Sequence, residues 1–437
     1  MIYYGLPELA QAVVTLPLAL FIPAYYADDR ALPLAGVGAA IAASRILDIF
    51  IDPLVGSLSD RLRTRWGRRK PWIALGTPLL MLAVWMVFVP AGQVSLLYLF
   101  GWASLLFLAF TLVDLPHKAW GAELSTEYIE RTHIAAWREG FSALGKILFL
   151  VVLSIMGVFG YGDNRTQLVA VAAIILISLP VFGAVALAKV PEFPAEELHG
   201  DRYRGWEALR LAFRNRAFVR TLIVLVLFGS AVMIQATLHK LVLTHVVGRP
   251  DLFASMILAE NLVSLAAVPL WIQIAGHVGK HRAVMLAALW LGVCSLAFPL
   301  VGQGDTTLYV TLIVLRGSSV ASIFMLANSI AADVMDHDIV ASGQQRTGLL
   351  FAAWGIAIKL AVALGIVLAT ALPAAFGFEP SAPAQSAAAK QWLLLIYGWL
   401  PCLVIALGTP LMWHFPIDHA RQKELRKEIA ARRVVRH

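Results

Sequence analysis

Apolar stretches of about 18 residues or more recur along the whole chain, and few folds outside a membrane can use so many of them. Of the 437 residues, 59% are hydrophobic and only 14% are charged, too little polar surface to clothe soluble domains of this length. In lipid the backbone must satisfy its own hydrogen bonds, which for continuous apolar runs means helices. Spans of about 20 residues, set against a hydrocarbon core about 30 Å thick, predict twelve transmembrane helices. They are expected near 5–26, 33–58, 72–92, 95–121, 134–159, 166–189, 218–242, 252–276, 283–303, 307–333, 348–374 and 390–414. The fold class read from the sequence is therefore an all-α, multi-pass membrane protein, with the lipid bilayer as its first partner.

The formal net charge of +8 does not point to nucleic acid, because the cations alternate with the spans. Six lie between Arg61 and Lys70, five arginines lie between Arg202 and Arg216, and seven cations lie between Arg421 and Arg436, whereas 91–94 and 303–306 carry none. With twelve spans the three basic segments share one side, which the positive-inside rule assigns to the cytoplasm together with both termini. No cationic stretch precedes the first apolar run, so a removable signal peptide is not expected and the first helix is read as an anchor. Cys294 and Cys402 fall inside predicted spans and read as small apolar fillers. No Gly-rich phosphate loop and no nucleophile constellation is present, which argues against ATP-driven transport and against an enzyme; no cofactor is expected.

The longest polar stretch, 191–217, divides the chain into six-span halves, 1–190 and 218–415, followed by a basic tail, 416–437. Trp206, Leu209 and Phe213 at helical spacing give the linker the pattern of a short interfacial helix. Two parallel repeats of six helices would place a solute between them near the midplane. After the second span, Gly56 to Asp60 and on to Lys70 resembles the signature loop of the major facilitator superfamily, and 276–282 echoes it after the eighth span. Gly56 is expected to allow close helix approach there, with Asp60 and Arg68 holding the cytoplasmic ends together.

Charged side chains inside spans cost free energy and so mark function. Arg45, Asp48 and Asp52 lie on one stripe of the second span. They read either as a cation site or, for Arg45 and Asp48, as a buried ion pair. Pro53 cannot donate to the carbonyl of Ile49, leaving an additional oxygen beside the carboxylates. In the fourth span, Asp114 and Lys118 either satisfy each other at i and i+4 or, together with Thr111, face cation and solute. Lys359 is a lone cation in the eleventh span and predicts acidic partners on the second and fourth. Among the remaining polar points, Arg138, Glu139, Lys146, His239, Lys240, Glu260 and Arg316, several are expected to snorkel toward interfaces, and Lys146 and Glu260 are expected to lie deepest.

Taken together, these residues resemble the glycoside-pentoside-hexuronide:cation symporters, the melibiose permease family. The resemblance is carried by Asp48-x-x-x-Asp52-Pro53-x-x-Gly56, by Arg65-Trp66-Gly67-x-x-Lys70-Pro71-Trp72 and by Thr111-Leu112-Val113-Asp114-Leu115-Pro116. Glu123-Leu124, Glu130-Arg131-Thr132, Asp333-Val334-Met335-Asp336, Gly343, Arg346 and Lys359 follow in the family's order. It implies a major facilitator fold with two six-helix bundles and symport of a small organic solute, a glycoside or uronide, by alternating access. Asp48, Asp52 and Thr111 would bind the coupling cation, Asp114 and Arg138 would contact solute, Lys359 would link the sites, and Asp333, Asp336 and Arg346 would belong to a cytoplasmic gate. Where sodium-using members carry an Asn, this chain has Ile51, which favours H+ over a Na+ held at Asp48 and Asp52. The helix 1 sugar aspartate is replaced by Ala12, with Gln11 beside it and Glu8 one turn away as the substitute. Lys118 and Lys146 would suit an anionic solute. A lysolipid or other amphiphile is the alternative cargo. A monomer in a bacterial inner membrane is expected.

Overall fold

The computed structural model describes residues 1–14, 16–62, 64–125, 128–192, 215–342, 347–382, 384–413 and 415. Ten helices among them are long and apolar enough to cross a membrane, and two bent pairs bring the number to twelve. We number these α1 to α12. α1 is the bent pair Ile2–Leu20 and Ile22–Asp29; α2 is Leu34–Arg61, α3 Lys70–Phe88, α4 Leu96–Glu123, α5 Tyr128–Val158 and α6 Asn164–Lys189. α7 is Arg216–Val242, α8 the bent pair Pro250–Ala266 and Val268–Val278, α9 Lys280–Ser295, α10 the two pieces Thr306–Gly317 and Val320–Ser342, α11 Thr347–Ala375 and α12 Ala387–Trp413. The expected linker, 191–217, lies outside the described residues over most of its length, and the tail, 416–437, entirely so.

Local chemistry sets the helix ends. Ser95 and Asp163 accept from the amides of Tyr98 and Thr166 at the starts of α4 and α6, and Asn215 accepts from Ala217 and Phe218 at the start of α7. α1 is interrupted where Pro23 opens the second piece, and α8 where Pro269 follows Ala267, because proline lacks the donor that would continue the ladder. Both α1 and α7 finish in a π-helical turn, Tyr25–Asp29 and Leu243–Val247. Asp28 Oδ2 and His245 Nε2, one from each turn, stand 3.4 Å apart.

The chain forms two compact units. The first comprises Met1–His199, Ala236–Leu258 and Ile366–Lys390. Within it α4 packs along both α2 and α3, and α2 and α4 are pinned by Ser104 Oγ donating to Ser44 Oγ at 3.2 Å. Close approach is bought with missing side chains: a Cβ at Gly145 on α5 would stand 2.4 Å from the Leu9 carbonyl of α1. The second unit comprises Gly200–Gln235, Ala259–Gly365 and Gln391–His437. Its core joins Phe218, Leu222 and Phe228 of α7 to Leu291 of α9, Ile323 and Ile330 of α10, Trp354 of α11 and Ile405 of α12.

Three of the polar side chains inside the spans are enclosed. His239 and Lys240 have no appreciable exposure; the Lys240 ammonium bonds to Gln167 Oε1 at 3.1 Å and lies 4.5 Å from the Phe21 ring centre. In the second unit Arg316 donates from Nη1 to Gln235 at 2.8 Å and from Nη2 to Glu260 at 3.0 Å. Hydrogen bonds and ring faces replace water for Lys240 and Arg316, so neither needs a route to an interface.

Candidate cation and solute site

The site grows from the register of α2 against α4. Asp48 and Asp52 leave α2 one turn apart, and Thr111 faces both from α4: its Oγ1 lies 3.0 Å from Asp48 Oδ1 and 3.0 Å from Asp52 Oδ1. Asp48 and Thr111 are buried and Asp52 half-buried. Arg45 Nη1 stands 3.5 Å from Asp48 Oδ2, and its guanidinium lies 4.0 Å from the Phe107 ring centre. The ion pair read from spacing is therefore present, and it coexists with the three-residue cluster. A threonine hydroxyl carries one hydrogen, so it donates to one carboxylate at a time. The other contact is completed when that carboxyl is protonated and donates back, or when a cation sits among the oxygens. Two carboxylates and a hydroxyl are hard oxygen donors suited to H+ or Na+. Ile51 adds no oxygen.

Residues expected to meet the solute distribute differently. Lys118 Nζ bonds to Asp114 Oδ2 at 2.7 Å, the self-satisfied arrangement at i and i+4. Arg138 on α5 donates to Glu139 at 2.6 Å, and its Nε lies 3.7 Å from Glu8 Oε1 on α1. Glu8 is buried, and so are its neighbours Gln11 and His117. Lys146, expected deep, is exposed on α5, and Glu260, also expected deep, is half-buried with its carboxylate held by Arg316. Lys359 is half-buried on α11 in the second unit.

At the basic end of the first unit, Arg68 is joined by residues that were not anticipated there, Arg69 and Glu192. A Cβ at Gly56 would meet Leu115 at an ordinary 3.5 Å, so close approach there does not demand glycine. Arg68 and Arg69 both donate to Glu123 Oε1, at 2.6 and 2.7 Å, and Arg69 also holds Ser59. The Glu192 carboxylate accepts from the backbone amides of Arg68, Arg69 and Lys70 at the start of α3, where a helix favours negative charge. In the second unit Lys280 bonds to Asp333 at 2.6 Å. Arg346 lies outside the described residues, as do the side chains of Asp60 and Asp336. Sequence reading missed Glu192, which sits in a stretch read as linker with Glu196 and Glu197 close by and nothing to single it out.

A helical chain with ten to twelve candidate membrane spans, in which two carboxylates within one span converge on a single hydroxyl, has the make-up of a multi-pass membrane transport protein. Residues 3–419 match the MFS/sugar transport protein family, and the chain belongs to it. Among its relatives, the uncharacterized symporter sll1374 of Synechocystis sp. is 25% identical over 99% of this chain and 97% of its own. The glucuronide carrier protein homolog of Escherichia coli is 24% identical over 99% and 95%, and the sodium-dependent lysophosphatidylcholine symporter 1 of Mus musculus 25% over 95% and 85%. The fold is also that of the nucleoside transporter NupG, with a TM-score of 0.67 at 13% identity over 94% of this chain and 99% of that one.

Proposed function

We propose that the protein is a cation-coupled symporter that carries a glycoside or uronide by alternating access, with H+ as the coupling ion. The single observation that carries this reading is the Thr111 hydroxyl shared by Asp48 and Asp52, because its one hydrogen serves one carboxylate at a time and a cation bound among the oxygens engages both. Loading the cation also removes the cost of two negative charges close together in a low-dielectric setting. Solute then binds a form the cation has favoured, which couples the two fluxes. Ile51 supports H+ over Na+ by withholding an oxygen. Asp114 and Arg138 contact the solute, Glu8, Lys146 and Lys359 assist them, and Gly56, Asp60, Arg68, Asp333, Asp336 and Arg346 belong to the gate. The six-helix halves, 1–190 and 218–415, flank the path, with the linker, the basic tail and both termini in the cytoplasm. The protein works as a monomer in a bacterial inner membrane. The second reading, a lysolipid cargo on the same machinery, is supported by the lysophosphatidylcholine symporter of mouse.

Uptake into proteoliposomes driven by proton or sodium gradients, with a panel of neutral sugars, uronides and lysolipids, tests both. The symport reading expects a sugar or uronide to accumulate, and Asp52→Asn to lose accumulation while exchange persists. Accumulation of lysolipids alone transfers the reading to the second cargo. Full accumulation by Asp52→Asn removes the α2 carboxylates from the mechanism.

A further inference from the structure

His117 lies on α4 six residues beyond Thr111, about 9 Å along the helix axis, and takes no part in the site described above. It is 1% exposed. Its Nε2 stands 2.9 Å from the backbone carbonyl of Tyr4, and a carbonyl only accepts, so Nε2 carries a hydrogen. The Tyr4 hydroxyl returns the bond by donating to the carbonyl of His117 at 3.0 Å, which locks the ring against α1. With Nε2 protonated, neutral imidazole presents a lone pair at Nδ1. That nitrogen faces Glu8 Oε1 at 3.6 Å, and neither atom makes a hydrogen bond among the described residues. Two buried acceptors facing each other repel unless a proton lies on one of them.

Beside His117 is a small apolar cavity, lined in part by Gln11, Thr77, His117 and Trp120. Both amide atoms of Gln11 are enclosed and make no hydrogen bond among the described residues. The charged and titratable groups near the pair are Arg138 and Glu139 from α5, Asp114 and Lys118 from α4 and Tyr4 from α1. From α3 and α6 the cavity receives Ile73, Thr77, Leu179, Gly183, Ala186 and Leu187, none of them titratable.

We propose that Glu8 and His117 hold a proton between them and so form a proton-binding site in the first unit, separate from Asp48, Asp52 and Thr111. A hydronium that reaches the pair gives its proton to the Glu8 carboxylate or to His117 Nδ1, forming one O–H or N–H bond and leaving water. No other bond changes. Because Arg138 also faces Glu8, loading on the carboxylate loosens the hold of Glu8 on the guanidinium. Resting on the symport reading, that frees Arg138 for an anionic solute when the proton is aboard.

The test needs protons alone. Purified protein in lipid nanodiscs is titrated from alkaline to acid while infrared difference spectra follow the carbonyl stretch of protonated carboxyl groups and the ring modes of histidine. Glu8→Gln should remove one titrating feature and remain folded, because its amide can donate to Nδ1. His117→Gln should shift the titration of the Glu8 feature by about one pH unit, a tenfold change in proton affinity. Glu8→Asp, shorter by one methylene, should keep a carboxyl feature that His117→Gln no longer moves. Spectra unchanged by Glu8→Gln, or a Glu8 feature indifferent to His117→Gln, overturn the proposal. A protein that shows the feature but accumulates no solute refutes the symport reading and leaves the proton site standing; a working symporter without it does the reverse.

Discussion

Replacing Thr111 by valine keeps the shape of the side chain and deletes its hydroxyl. When the site holds a proton, the hydroxyl takes part in two bonds, accepting from the protonated carboxyl and donating to the other. In the empty site one hydrogen serves one carboxylate, at either of the two 3.0 Å contacts. The loaded form therefore gains one hydrogen bond over the empty form, worth about 1.5 kcal/mol in a charged, buried setting. That corresponds to about a tenfold change in affinity. Thr111→Val should raise the cation concentration needed for half-maximal uptake about tenfold, and Thr111→Ser should stay near the parent value because the hydroxyl remains. Initial rates in proteoliposomes at graded proton and sodium concentrations give both numbers. Equal losses in valine and serine variants would trace the effect to packing and refute the shared-hydroxyl reasoning, as would an unchanged half-saturation in Thr111→Val.

Two further outcomes follow from groups outside that cluster. Arg316→Met strands the Glu260 carboxylate and should destabilise the protein by about 3–5 kcal/mol, whereas adding Glu260→Met should recover most of the loss; thermal unfolding of the single and double variants compares them, and a double no better than the single would sink the pairing. Glu192→Gln weakens the charge-assisted bonds to the amides of Arg68, Arg69 and Lys70, so hydrogen exchange there should speed up about tenfold for a loss near 1.4 kcal/mol; unchanged protection of that segment would count against the role given to Glu192.

The spans were legible because hydropathy is a one-dimensional signal. The predicted 33–58 and 166–189 became Leu34–Arg61 and Asn164–Lys189. α5 begins at Tyr128, six residues before the predicted 134, because polar residues such as Glu130 and His133 extend the helix beyond its apolar run. α10 likewise runs past 333 to Ser342, but in two pieces. The break in α1 before Ile22 was not read from the sequence, which gave only a single span near 5–26. Within the site, the stripe on α2 followed from helical period and the self-pairing of Asp114 with Lys118 from their spacing. The meeting of Glu8, His117 and Arg138 was not legible, since it joins α1, α4 and α5 across more than a hundred residues and depends on which ring nitrogen finds a carbonyl. Glu192 was hidden for a related reason: its partners are main-chain amides, which have no letter in a sequence.

The two π-helical turns change what sort of mutation matters at that end of the first unit. A π-turn closes over one residue more than an α-turn. Removing one residue from Tyr25–Ala27 would let the segment close as an ordinary α-turn and move Asp28 around and along the helix axis. Asp28 would then be turned off His245 with its chemistry intact. The same holds for a deletion within Leu243–Val247. For these two places the genetic alphabet that counts is length: an indel in either turn unlatches the pair as surely as losing the carboxylate.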